Sequence, residues 1–395
     1  MHDINQDNLV KLIDRLNLYP IGLPDSSDIR EFFSIFLSDE EIKLASVFPF
    51  KEVTAAELAS RVCWPLDKTT KILETLADKG TVVDFKLKEG DQDCYWMLTP
   101  SVIGFVEFSL MKLREGTPFQ RIAEILESYE DKHLWKDVFG SKTQLTRATI
   151  GYDVPVTSKV TPLNEVEDLI KKNAGGSAQT CFCRQKKALL NKNCKVAPHL
   201  ETCFSLGGSA ADFLVRRGYA RKIDADEMIT KIRELGKLGL IHVTDNVRDR
   251  PTFICNCCGC CCGLLRGTIE KKVKHSVSPT QYILDIDKKK CVGCSSCVNK
   301  CQIKAISLKN ISNRIEGEGG GEGGGTVQVI TAMVDKELCL GCGACTKFCK
   351  KSALSLVYRD KKPRIPKNEK TKFIRIAWEK EKFWKMAWAI LKAKL

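Results

Sequence analysis

Two short stretches of this chain each carry four cysteines at one and the same spacing. Cys291-x2-Cys294-x2-Cys297-x3-Cys301 is followed, at a constant offset of 48 residues, by Cys339-x2-Cys342-x2-Cys345-x3-Cys349. Each run has matching surroundings: an extended stretch (Tyr282 to Ile286; Val327 to Val334), the cysteine loop, a short helix, and a second extended stretch (Lys304 to Leu308; Ser352 to Val357). A duplicated array of this kind constrains the fold more than any composition figure, because eight thiols must be gathered without being oxidised to one another. The chain holds 20 cysteines in 395 residues, too many to serve as packing residues. Residues Met1 to Leu18 lack the basic-then-apolar order of a secretory signal, so a cytoplasmic protein is expected. Thiols in a reducing compartment read as ligands rather than as disulfide partners. The longest apolar stretch, Val102 to Met111, is broken by Glu107 and falls well short of the roughly 18 residues a membrane-spanning helix needs.

The duplicated pattern resembles the bacterial-type ferredoxin that carries two [4Fe-4S] clusters, over residues 280–358. A cubane offers four iron corners; three closely spaced cysteines wrap one face, and the fourth comes from outside the loop. The resemblance implies an exchange in which the last cysteine of each run serves the other cluster. Cys291, Cys294, Cys297 and Cys349 would then hold one cluster, and Cys339, Cys342, Cys345 and Cys301 the second. Gly293, Gly341 and Gly343 suit loops that turn backbone N–H groups toward inorganic sulfur. The family's usual proline after the fourth cysteine is replaced here by Gln302 and Lys350, which bears on rigidity and potential rather than on ligation. Structural zinc pairs separated two-cysteine knuckles, so four thiols in one run favour clusters over zinc.

Ten more cysteines lie between 181 and 262: Cys181, Cys183, Cys194 and Cys203, then Cys255, Cys257, Cys258, Cys260, Cys261 and Cys262. They allow two tetrathiolate sites with two thiols to spare. Adjacent cysteines on an extended backbone point to opposite sides, so the crowded run serves two purposes or binds on one side only. Arg184, Lys186 and Lys187 are expected to favour thiolate by charge. The segment is similar to cysteine-rich modules found beside dicluster ferredoxins in proteins of strict anaerobes. One or two further iron-sulfur clusters, zinc, and a redox-active thiol site all remain open for it. Asp224 and Glu227 mark a capped helix within the segment, ended by Gly239 before a strand from Leu240 to Thr244.

The N-terminal part gives an order of elements: a helix around Ile29 to Val47, one opened by Thr54 with Glu57, and one opened by Pro65 with Ile72, Leu73 and Leu76 on a face. Two extended stretches, Thr81 to Leu87 and Cys94 to Thr99, are joined through Glu89-Gly90-Asp91. This order resembles a winged helix-turn-helix, with Leu66 to Lys79 as the recognition helix. Residues 29–99 carry 9 Lys and Arg against 13 Asp and Glu, which is the wrong sign for phosphate contact. An interaction or dimerisation domain is the simpler reading, and Cys63 and Cys94 are isolated within it. Residues 101–172 read as helical, with Trp135 and His133 as packing residues.

Charge is concentrated at the other end. Residues 255–395 carry 28 Lys and Arg against 12 Asp and Glu, the rest of the chain 35 against 37. Glu316 to Gly325 is a flexible insert within the repeat, with a reach of roughly 16–19 Å. In the tail, Lys361 to Leu395, twelve basic residues accompany Trp378, Trp384 and Trp388; Trp384, Ala387, Trp388, Leu391 and Leu395 share one helical face. Such a helix could lie on an anionic membrane, dock into a partner, or pack on its own domain. No phosphate-cradling GxxxxGK[ST], no GxGxxG placed between a strand and a helix, no HExxH and no GxSxG is present.

The expectation is thus an α+β multidomain chain: a winged-helix-like domain (29–115), a helical connector (116–180), a cysteine-rich cluster-binding module (181–268), the dicluster ferredoxin domain (280–358) and a basic amphipathic tail (361–395). Its expected function is single-electron transfer through [4Fe-4S] clusters, as a carrier or as a subunit of an anaerobic oxidoreductase complex, with a redox protein as partner and no catalytic residue of its own. A redox-sensing winged-helix transcription regulator, with nucleic acid as partner, is the rival, and an enzyme binding substrate at an open iron is a third possibility.

Overall fold

The computed structural model describes residues 4–87, 93–135, 138–156, 165–273, 276–314 and 326–394. The Glu89-Gly90-Asp91 turn and the Glu316 to Gly325 insert lie outside the described residues.

A first apolar core is built mostly by helices. The leader forms a helix, Gln6–Asn17, whose Leu9, Leu12, Ile13 and Leu16 are buried at helical spacing. The expected single helix from Ile29 is two, Ser27–Phe36 and Asp39–Ser46, because Ser38 and Glu41 form a reciprocal capping box that starts a new helix there. The second capping box, Thr54 with Glu57, opens Ala55–Val62. Helix Leu66–Asp78 follows, then strands Val82–Phe85 and Tyr95–Leu98, which pair with each other and with Val53–Thr54 in a three-stranded antiparallel sheet. Residues 101–172 are less helical than their composition suggests: after helices Val106–Met111 and Phe119–Tyr129 comes a strand, Thr146–Ala148, and only then helix Val166–Lys172. Phe119–Tyr129 packs in the first core, as do Trp135 and Ile376 of the tail.

The second body centres on a seven-stranded sheet. Its order is Val277–Ser278, Thr146–Ala148, Ile241–Asp245, Phe253–Cys257, Glu201–Leu206, Gly176–Thr180 and Ala220–Ile223, antiparallel except for the first pair. Asp224 caps helix Ala225–Lys237 by accepting from the Glu227 N–H at 2.8 Å.

The duplicated region folds as two antiparallel pairs, each joining one half to the other: Tyr282–Ile286 with Leu354–Tyr358, and Ile306–Arg314 with Thr326–Val334. The short helix expected in each half is α-helical in the first, Ser296–Lys300, and a single 3-10 turn in the second, Thr346–Phe348. The tail forms two helices, Glu369–Glu379 and Phe383–Lys394, broken where Glu381 adopts a left-handed backbone. The first packs back through Ile376 and Ala377, and buried Lys372 faces Asp245 and Glu369. On the second, Trp384 and Trp388 are 73% and 68% exposed. Among the described residues no helix is long and apolar enough to cross a membrane.

Candidate metal centres

All twenty cysteines are free thiols, and eighteen of them gather in four groups. The first hollow in the duplicated region is lined by Cys291, Cys294, Cys297 and Cys349; the second by Cys301, Cys339, Cys342 and Cys345. Strand pairing explains the exchange. Because each half's last strand pairs with the other half, the cysteine preceding that strand is delivered to the other half's loop. Backbone N–H groups point at three of the sulfurs: Ala332 at Cys291 (3.4 Å), Ala305 at Cys301 (3.2 Å) and Ala353 at Cys349 (3.3 Å). Such donors stabilise a negatively charged iron-sulfur core and its thiolates. Gly341 has φ +64°, and a Cβ there would stand 1.9 Å from the Tyr282 carbonyl oxygen, so only glycine closes this loop.

The two hollows differ in exposure. Cys294 lies open to solvent, and the Ser296 backbone N–H and hydroxyl hold its thiol below the ordinary value. In the second hollow burial pushes Cys342 up to about 12 and raises Cys345 and Cys301 as well. A bare thiolate is costly there, and a bound cation would offset that cost.

The ten cysteines of the central module divide six and four. Cys203 and Cys255 are cross-strand partners, and Cys257, two residues on, shares their face of the sheet. Opposite them, Cys181 caps helix Phe182–Leu189, Cys183 lies in its first turn, and Cys262 caps helix Gly263–Lys271. These six thiols form a closed ring of neighbours in the order Cys181, Cys183, Cys262, Cys257, Cys255, Cys203. Hydrogen bonds from Cys183 and Cys203 hold Cys181 far below the usual thiol range, and those from Cys183 and Cys257 do the same for Cys262. Both low thiols sit at helix N-termini, where backbone N–H groups of Arg184 and Leu265 also face them. The ring borders a cavity of about 290 Å³ whose other walls include Val102, Phe108, Met111 and Phe213. The remaining four, Cys194, Cys258, Cys260 and Cys261, have all their sulfurs within 4.8 Å of one another.

Charges near the module depart from expectation. Arg184 does reach a sulfur, its Nη2 lying 3.5 Å from Cys258 Sγ. Lys186 and Lys187 do not: Lys186 pairs with Glu130 and Glu127, and Lys187 with Glu127, which Arg266 also contacts at 3.0 Å. Sequence reading missed these acids because they come from a helix some sixty residues upstream. The network ties the first core to the two helices that begin at Cys181 and Cys262.

The second hollow and the ring are neighbours. Ile241 lines the hollow and is the cross-strand partner of Cys257; Ile303, Leu340 and Leu265 complete one apolar cluster between them. Gln302, next to Cys301, accepts from the Gly259 N–H at 3.0 Å.

Two of the three acids on helix Leu66–Asp78 are paired within the chain, while Asp67 is exposed. Glu74 pairs with Arg217, Asp78 with Lys112 and Arg114, and Asp84 on the following strand with Arg216 and Arg217. Cys63 is exposed and Cys94 half-buried, both apart from the other thiols.

Residues 290–354 match the family model described as a 4Fe-4S dicluster domain, which places this part of the chain among the ferredoxin-type iron-sulfur folds. That match covers about a sixth of the chain. Neither the curated proteins nor the solved structures include a match to it. The ferredoxin-type domain and the abundance of cysteines point to iron-sulfur electron transfer.

Proposed function

We propose that this protein relays single electrons, as a carrier or as the electron-transfer subunit of an oxidoreductase complex. Cys291, Cys294, Cys297 and Cys349 hold one [4Fe-4S] cluster in this reading, and Cys301, Cys339, Cys342 and Cys345 a second. The observation that carries it is the pair of hollows, each lined by three cysteines of one run and the last of the other. The six-thiol ring, with its cavity, takes a further polynuclear iron-sulfur cluster as the inner station. Electrons enter from a redox partner at exposed Cys294, where Val292 offers apolar contact and Lys288, Lys289 and Lys290 favour an acidic partner. A DNA-reading role for the first domain gains nothing from this geometry, since Glu74 and Asp78 of helix Leu66–Asp78 are paired within the chain and the exposed Asp67 adds negative charge to its outer face.

Anaerobic purification, iron and acid-labile sulfide counting, and low-temperature EPR after dithionite reduction test the proposal. About eight irons and eight sulfides belong to the dicluster domain, and the ring adds to both. Iron far below eight after reconstitution refutes it.

A further inference from the structure

Four thiols of the central module stand apart from the ring of six. We infer that Cys194, Cys258, Cys260 and Cys261 form a mononuclear centre, four thiolates around one tetrahedral ion of the zinc or ferrous class, with no inorganic sulfide. The inference does not depend on the clusters proposed above.

Spacing carries it. Cys194 Sγ lies 3.6 Å from Cys258 Sγ and 3.7 Å from Cys260 Sγ; Cys260 Sγ lies 3.5 Å from Cys258 Sγ and 3.7 Å from Cys261 Sγ. Metal–sulfur bonds of about 2.3 Å at tetrahedral angles put ligand sulfurs about 3.8 Å apart. Thiolates on the corners of a cubane are splayed outward by the iron core and stand on the order of 6 Å apart. The protein supplies its own control: among the described residues this is the one group in which three or more ligand atoms all lie within 4.8 Å of one another. The ferredoxin-type quartets and the ring of six do not converge in this way, although their thiols line common hollows.

Donor chemistry agrees with the distances. Four thiolates on a divalent ion leave a charge of about −2. The guanidinium of buried Arg184 stands beside Cys258, and the Ala197 N–H donates to Cys194 Sγ at 3.3 Å. Three ligands come from one turn after strand Phe253–Cys257. Its Gly259 admits no side chain, because a Cβ would stand 2.2 Å from the Gln302 carbonyl oxygen. The fourth comes from the irregular segment between helix Phe182–Leu189 and strand Glu201–Leu206. One ion would fasten that segment to the turn.

The test compares the full-length chain with its Cys194→Ser variant, both purified anaerobically, by zinc, iron and acid-labile sulfide content. The expected result is loss of one metal per chain with sulfide unchanged; zinc or iron as the missing metal tells the two ions apart, and either supports the inference. Loss of several irons together with equal sulfide overturns it, as does no loss of metal. Should the variant prove insoluble, wild-type protein decides. Zinc in a shell of four sulfurs at about 2.3 Å by X-ray absorption, or iron in excess of sulfide, supports the centre; no zinc, with iron matching sulfide atom for atom, overturns it. An empty ferredoxin-type domain would lower iron and sulfide together in both proteins and leave their one-metal difference in place.

Discussion

The ferredoxin-type region and the central module solve the same problem, gathering thiols, by opposite means. In the first, ligands are local: three of every four come from seven consecutive residues, and a strand pairing supplies the last. In the second, one ring draws on two strands and two helix starts, from Cys181 to Cys262. A site written into a loop keeps its ligands near one another when the surroundings loosen. One assembled from distant elements inherits the stability of everything that positions those elements.

The sharpest way to break this comparison is to remove the exchanged ligand. Cys349→Ala should abolish the EPR signal of the solvent-exposed cluster and spare that of its neighbour, although Cys349 belongs to the neighbour's run. Loss of the buried cluster alone would mean each run serves itself. Next in size is the ion network that anchors the module. Lys186→Met leaves buried Glu130 facing no cation, and breaking such a pair costs about 3–5 kcal/mol. Denaturant unfolding should show that loss, with the double variant Lys186→Met/Glu130→Leu recovering much of it. Ring-cluster absorbance should fall in the single variant before the ferredoxin-type signals do.

The smallest effect is a pH dependence. His242 is buried, its Nδ1 lies 2.6 Å from Asn256 Oδ1, and burial lowers its pKa to about 4. Asn256 donates its amide to the Thr202 carbonyl oxygen, so its Oδ1 accepts and the His242 Nδ1 carries the proton. The unfolded chain, with an ordinary histidine near 6.5, binds the extra proton first as pH falls. Stability should therefore be level above pH 6.5 and decline from there toward pH 4, by up to about 3 kcal/mol. A His242→Gln variant should flatten that part of the melting-temperature profile, and an unchanged slope would assign it to other groups.

Much of the ferredoxin-type site was legible because its signal is a spacing, and spacing survives without knowledge of the fold. The same holds for Thr54 with Glu57 and Asp224 with Glu227, whose caps are set within four residues. The six-and-four division was not legible. It depends on Cys203 pairing with Cys255 across a sheet and on which cysteines begin helices, both tertiary facts. The idea that the crowded run faces two ways was within reach of strand alternation, yet the choice of Cys194 as companion to Cys258, Cys260 and Cys261 was not. Lys186 and Lys187 misled for a related reason: a local count of charge ignored Glu127 and Glu130, which take both lysines away from the sulfurs.

The wall between the second hollow and the ring is hydrocarbon: Ile241, Ile303, Leu340 and Leu265 fill it, while His242 on the same strand bonds to Asn256 away from the thiols. Nothing in that wall can take up or give off a proton. On the proposed relay, an electron crossing it would tunnel unaccompanied, and any protonation that attends reduction would take place outside that wall.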